Sequence, residues 1–184
     1  MDRAFVIGKR VYLRPIDEAD VDSNYLQWVN SEIVYSTLAS LHFPTTRAKL
    51  LDYVRSNTGR PDVAFFAIMT VDGDKFIGTA KIGPIQWIDR HSYCALLIGD
   101  PAFRGKGYGS EVVFLLLKYG FCVLNLHKIS AGMVASNRAS TRIFEKAGMQ
   151  VEACLKKEYF IDGKWEDHIL MAAFQAEFFQ KYPS

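Results

Sequence analysis

Residues 104–109 read Arg-Gly-Lys-Gly-Tyr-Gly, three glycines alternating with two cations and a tyrosine. Such a stretch packs a core poorly. It turns backbone N–H groups toward one point well, because glycine adopts φ > 0 and lets the chain approach a ligand closely. A strand-like apolar run ending in Leu96-Leu97-Ile98-Gly99 precedes it, and an apolar helical segment follows directly. The first amides of a helix lack internal partners and its dipole is positive at that end, so the arrangement reads as an anion site, phosphate first. Arg104 and Lys106 are expected to add mobile positive charge beside it. The glycines fall as G-x-G-x-G, not the G-x-G-x-x-G of a dinucleotide fingerprint, and no Gly-Lys-Ser/Thr closes the loop as in a P-loop.

Other reactive side chains are scattered. Cys94, Cys122 and Cys154 form no C-x-x-C pair, and their odd number argues against a complete disulfide framework. Cys94 and Cys122 stand in apolar runs and read as buried, inert thiols. The four histidines have no metal-ligand spacing, so no metal is expected. His91 has the intrinsic pKa of a base at neutral pH, with a structural role open beside the catalytic one. Asp89, Glu32 and Glu158 are alternatives by chain position alone.

The elements that must position these groups follow from periodicity and punctuation. Arg10 to Arg14 alternates as a strand and Pro15 ends it. Asp17 to Asn30 reads as a helix with Asp17 as N-cap, and Thr45 or Thr46 caps a second helix to about Asn57. Val63 to Val71 and Phe76 to Ile85 are strands joined by Asp72-Gly73-Asp74-Lys75, a hairpin signal. Ser92 to Gly99 is the central strand. The helix after the glycine loop is apolar nearly all round and should be buried against the sheet. Lys128 to Val134 then forms a strand parallel to the central one, since a helix crosses between them. Ser136 or Asn137 opens the next helix and Gly148 ends it, before a hairpin of Val151 to Ile161 and Trp165 to Phe174. This is an α+β layout with a mixed sheet, in one domain spanning residues 1–184. A net charge of +2 is too small to argue for nucleic acid, and no apolar run is long enough for a membrane span. No signal-peptide pattern follows Met1, so a cytoplasmic location is expected.

Phe103 to Glu111 resembles the acyl-CoA pyrophosphate loop of the GNAT N-acetyltransferase superfamily. Asn137-Arg138-Ala139-Ser140 and Phe144-Glu145-Lys146-Ala147-Gly148-Met149 resemble that family's asparagine-bearing helix and its Glu-Lys-x-Gly-Phe end. The similarity is greatest to the branch holding ribosomal-protein N-terminal, polyamine and amino-sugar acetyltransferases. It implies a mostly antiparallel sheet with helices on both faces, splayed between two central parallel strands, with acetyl-CoA as acyl donor. Carried over residue by residue, it implies that backbone near Leu97, Ile98 and Gly99 holds the thioester and pantetheine arm. The amides of Arg104, Gly105, Lys106, Gly107, Tyr108 and Gly109 would hold the pyrophosphate. Asn137 would bond the pantetheine or acetyl end, with Ser140, Arg142 and Phe144 completing the cofactor set and Arg138 near the adenosine phosphates. The segment Ser31 to Pro44, with Tyr35, His42 and Phe43, would help form the acceptor pocket.

The implied reaction is direct attack by a primary amine, which at pKa 10.4 is neutral in only about one molecule per 2,500 at pH 7. Many relatives place a tyrosine acid seven residues after the helix asparagine, where this chain has Phe144. Tyr108, Tyr159 or water would substitute, or the thiolate leaves unassisted. The acceptor is a small-molecule amine of amino-sugar-nucleotide or polyamine type, or a protein N-terminus. A polyamine would favour an acidic pocket, and Ser31 to Pro44 holds no acidic cluster. Dimers are common in the family, so a second copy of the chain joins the expected partners. The alternative reading is a catalytically weak acyl-CoA-binding sensor or partner subunit.

Overall fold

Period-two alternation and two Asp-Gly turns organise the strands. The computed structural model describes residues 3–35 and 43–183. Its strands are β1 Val6–Ile7, β2 Val11–Pro15, β3 Ala64–Thr70, β4 Phe76–Ile82, β5 His91–Ile98, β6 Lys128–Val134, β7 Gln150–Ile161 and β8 Lys164–Phe174. They form one eight-stranded sheet in the order β1-β2-β3-β4-β5-β6-β8-β7. Every neighbouring pair is antiparallel except β5 and β6. At the β7–β8 turn Asp162 and Gly163 have φ 49° and 76°, the paired positive φ of the tight hairpin turn that Asp-Gly favours.

The helices are α1 Tyr25–Val29, α2 Glu32–Tyr35, α3 Arg47–Asn57, α4 Tyr108–Cys122, α5 Arg138–Lys146 and α6 Gln175–Lys181. Helix α4 is apolar nearly all round and lies in the main core. Val112, Val113, Leu116, Leu117 and Phe121 pack there with Val11, Leu13, Ile68, Ile82 and Ile129. Each such side chain stabilises the fold by about 1.5–3 kcal/mol. A second core lies on the opposite face of the sheet, where Tyr25, Trp28, Leu50 and Val54 of α1 and α3 meet Phe65 and Leu97. Among the described residues no helix is long and apolar enough to cross a membrane.

Two local expectations are corrected and one unpredicted helix is added. The helix expected over Asp17 to Asn30 is broken into a 3-10 turn, Glu18–Asp22, and α1. Asp20 folds back to accept from the Asp17 amide at 2.8 Å and holds Arg14 bidentately at 2.6 and 2.8 Å, while Ser23 Oγ donates to the Asp20 carbonyl. Such side-chain bonds compete with helix continuation. Cys122 is exposed rather than buried. Past Phe174 the chain forms α6, which brings Phe178 against Phe114 and Phe121.

The sheet is incomplete at its centre. Strands β5 and β6 pair only at His91↔Lys128, Ser92↔Ile129 and Tyr93↔Ser130. Beyond these, β5 keeps β4 and β6 keeps β8, while residues 94–98 and 131–134 part from each other. The mouth of the resulting gap faces the start of α4, which Glu111 anchors. Its carboxylate accepts from the amides of Lys9 and Arg10 at 2.7 and 2.8 Å and from Arg10 Nε at 2.9 Å. Burial alone would raise this carboxyl's pKa, but these bonds outweigh it and hold it below its ordinary 4.5. A lowered folded pKa means the contribution to stability is complete above the ordinary value and is lost as pH falls through the folded one. Glu111→Gln is therefore expected to cost about 2 kcal/mol in denaturant unfolding at pH 7, with the difference shrinking toward pH 3. Equal stability at pH 7 would refute the anchoring role.

Candidate active site

Glycine decides the shape of the loop before α4. Gly105 and Gly107 take φ of 71° and 85°, and Gly107 is the N-cap of the 15-residue helix. The Arg104 amide is spent on the Pro101 carbonyl at 3.2 Å, whereas the amides of Gly105, Lys106 and Gly107 bond no described residue. With the unpaired amides of the first turn of α4 they form a concave cluster of donors at the positive end of a helix dipole. Arg104 departs from expectation. Its Nε donates to the Ile98 carbonyl at 2.9 Å and its Nη2 to the Gly99 carbonyl at 2.7 Å, so the guanidinium braces the strand–loop junction instead of being mobile. Lys106 is exposed, and its carbonyl accepts from Arg10 Nη1 at 2.9 Å. The Tyr108 ring lies under the Arg10 guanidinium at 4.8 Å and edge-on to Phe103 at 5.3 Å.

A cavity of about 450 Å³ extends from this loop between β5 and α5. Of the residues expected to hold a cofactor, Leu97, Ile98, Arg104, Gly105, Gly107, Gly109, Asn137, Ser140 and Arg142 line it, and Gly99, Lys106, Tyr108 and Phe144 do not. Asn137 is the N-cap of α5, its Oδ1 accepting from the Ser140 amide at 3.0 Å. That bond fixes the side-chain amide and leaves Nδ2 as a donor on the cavity wall. Phe144 is buried in the main core. Gly99 gives its amide to the Ile77 carbonyl at 2.9 Å, and any side chain there would collide with the Trp28 indole.

The ladder between β4 and β5 decides which amides face the gap. Gly83 donates to Tyr93 and Gly99 to Ile77, both pairs in register with Lys81↔Ala95 and Thr79↔Leu97. Antiparallel alternation therefore commits Ala95 and Leu97 to β4 and turns the amides of Leu96 and Ile98 toward the gap. On the other face of β5 lies a second cavity of about 390 Å³, walled by Tyr25, Val29, Lys49, Leu50 and Tyr53 and floored by Phe65, Thr79, Lys81 and Ala95. Leu96 and Leu97 line both cavities. Burial pushes the Tyr25 hydroxyl's pKa up, and it hydrogen-bonds Thr79.

The expected bases are not gathered here. His91 sits at the paired end of β5, five residues and roughly 16 Å from Leu96 along the strand. Its Nε2 lies 3.1 Å from Ser130 Oγ, its ring packs on Tyr93, and it lines neither cavity. Burial first, then the Lys128 charge, lowers its pKa, so the ring is neutral at pH 7. Asp89 and Glu32 are exposed and line neither cavity, and Glu158 Oε2 lies 3.2 Å from His168 Nδ1. Tyr159 OH is 3.3 Å from the same His168 nitrogen. His42 lies outside the described residues. Burial pushes the Cys94 thiol up to about 12, which removes it as a nucleophile. Sequence reasoning passed over Lys81, because an isolated lysine carries no motif. The available signal was the alternation of β4, which puts Lys81 and Thr79 on one face.

Comparison with known proteins places this geometry. Residues 10–150 match the acetyltransferase (GNAT) domain family. Over 174 residues the chain is 33% identical to YjcK, a probable N-acetyltransferase of Bacillus subtilis (strain 168), covering 90% of this chain and 94% of that one. It is 30% identical over 115 residues to the spermidine N(1)-acetyltransferase of Escherichia coli (strain K12), covering 62% of this chain and 61% of the relative. Its backbone superposes on a spermidine N-acetyltransferase from Vibrio cholerae, crystallised with CoA and spermine, with a TM-score of 0.83. That likeness covers 93% of this chain and 99% of the other at 23% identity, and is one of fold. With a family match over most of its length on a splayed sheet and a glycine loop, the chain belongs to the GNAT acetyltransferases and is an N-acetyltransferase.

Proposed function

We propose that the chain takes acetyl-CoA as its donor and moves the acetyl group to a primary amine by direct attack, without an acyl-enzyme. The observation that carries this reading is the meeting of two cavities at Leu96 and Leu97, on the edge of an unpaired strand. The residues present fit the donor. The free amides of Gly105, Lys106 and Gly107 and the first turn of α4 suit a pyrophosphate. The 450 Å³ cavity beyond them suits an extended arm, and Asn137 Nδ2 is a donor on its wall.

Acetyl-CoA supplies an acetyl group already activated as a thioester. The amides of Leu96 and Ile98 supply fixed donors to a carbonyl oxygen in the gap, the arrangement that stabilises charge as it develops there. The leaving thiol ionises near pKa 8.5, so its departure needs little help. A buried phenylalanine at position 144 is compatible with that. Among the described residues neither cavity is lined by a carboxylate or an imidazole. With the described residues alone, the amine arrives neutral or passes its proton to water. The acceptor classes that accord with this site are a small-molecule amine and a protein N-terminus, and the similarity to spermidine acetyltransferases supports an amine acceptor in general.

Two substitutions test the donor site. Gly107→Ala forces a side chain into a left-handed conformation, a cost of roughly 1–2 kcal/mol, with its Cβ 3.2 Å from Arg10 Nη2. Calorimetric affinity for CoA is expected to fall about five- to twentyfold; binding within twofold of the parent excludes this loop as the pyrophosphate site. Asn137→Asp keeps the oxygen that caps α5 and removes the donor. It should leave the melting temperature unchanged and lower kcat/KM for acetyl-CoA about tenfold, whereas Asn137→Ala also loses a cap worth about 1 kcal/mol. Parental kcat/KM in Asn137→Asp would remove Asn137 from the donor site.

A further inference from the structure

The charge of the second cavity is all of one sign. Lys81 rises from β4 into it, partly buried, and its Nζ donates to Tyr53 OH at 3.0 Å and to Asn57 Oδ1 at 3.3 Å. The rings of Tyr53 and Phe65 lie 5.0 and 5.9 Å from the same nitrogen. All three partners, Tyr53, Asn57 and Phe65, are neutral, and among the described residues Lys81 forms no ion pair. Arg14, Arg47, Arg55 and Arg60 each hold a carboxylate within 2.8 Å. Lys49 also lines this cavity, and among the described residues no Asp or Glu does. Residues 36–42, which lie outside the described residues, read Ser-Thr-Leu-Ala-Ser-Leu-His and contain no Asp or Glu.

From this we infer that the acceptor amine carries an anionic group, carboxylate or phosphate, and that Lys81 is the residue that selects it. The inference rests on the acetyl-transfer reading above. An ammonium oriented by neutral partners and partly withdrawn from solvent is a prepared half of a charge-assisted bond, less screened by salt than a surface pair. Lys81 stands opposite Ala95, one residue before the junction at Leu96, and its side chain reaches toward α3, away from the gap. The anion and the reacting nitrogen are therefore separated by several bonds. A polyamine would bring a second ammonium against Lys81 with no carboxylate to offset it. The same positive charge lowers the pKa of an amine held in the cavity, so the cavity favours the neutral nucleophile that the reaction needs.

Four primary amines, 6-aminohexanoate, glucosamine 6-phosphate, hexylamine and spermidine, are compared by kcat/KM at saturating acetyl-CoA, with CoA binding measured separately by calorimetry. An anionic amine is expected to exceed both hexylamine and spermidine at least tenfold; 6-aminohexanoate leading identifies a carboxylate, glucosamine 6-phosphate leading a phosphate. Lys81→Met should raise KM for that amine at least tenfold at an unchanged melting temperature, bringing the anionic-to-neutral ratio toward one, and Lys81→Arg should restore most of the ratio. Spermidine as the preferred acceptor, a ratio unmoved by Lys81→Met, or CoA binding without acetylation of either anionic amine overturns the inference. Failure to bind CoA at all overturns instead the acetyl-transfer reading beneath it.

Discussion

A strand that loses a neighbour inside a sheet leaves amides and carbonyls that water or another group must satisfy, and the proposed active site is built on that constraint. Strand β5 pairs with β6 for three residues and then stands alone on that side. Both flanks are held in place. On one side β6 is drawn along its whole length to β8. On the other, β4 claims alternate amides of β5, the Arg104 guanidinium takes the carbonyls of Ile98 and Gly99, and the Trp28 indole packs on Gly99. Closing the gap would mean giving up these contacts. The edge therefore stays open and polar, and the two cavities meet on it.

The glycine loop extends the same logic from strand to helix. Its amides are useful because nothing within the chain uses them, and they stay aligned because their surroundings are rigid. Arg10 links the pieces: its guanidinium reaches the Glu111 carboxylate, the Lys106 carbonyl and the Tyr108 ring. Helix α4 is fixed in the core by Val112, Val113, Leu116 and Leu117, all fully buried. The donors at its start thus need little reorganisation when an anion arrives. The conspicuous side chains of the motif, Arg104 and Tyr108, shape and support the loop, while its backbone presents the donors.

Backbone-dictated features were legible in the sequence. Gly105 and Gly107 take the positive φ that their loop requires, Thr46 and Asn137, each one of two candidates in the sequence, cap the helices they precede, and Asp162-Gly163 makes the hairpin turn. The parallel relation of β5 and β6 followed from the helix between them. Features that depend on tertiary approach were not. Arg104 and Lys106 look alike in sequence, yet only Arg104 finds carbonyls to bond. Gly99 belongs to the strand end but spends its amide on β4, which a period-two reading cannot reveal without the register. His91 has the right chemistry at the wrong end of its strand. Phe144 occupies a motif position while its ring belongs to the core. The net charge of +2 hid a local field, since Arg142 and Lys146 line one cavity and Lys49 and Lys81 the other.

The two halves of the site also differ in how far similarity can speak for them. The proposed donor half is built from the glycine loop and the Asn137 helix, where positive φ and a helix cap restrict which residues fit. The proposed acceptor half is built from one face of β4, the inner side of α3 and Tyr25. A substitution at one alternating position of β4 can change the charge an acceptor meets while leaving the fold, the loop and the gap in place. A backbone likeness of 0.83 at 23% identity to a spermidine acetyltransferase is therefore compatible with a different acceptor. With Lys81 lacking a carboxylate partner among the described residues, the proposed reading assigns the choice of amine to the walls of this cavity and not to the scaffold.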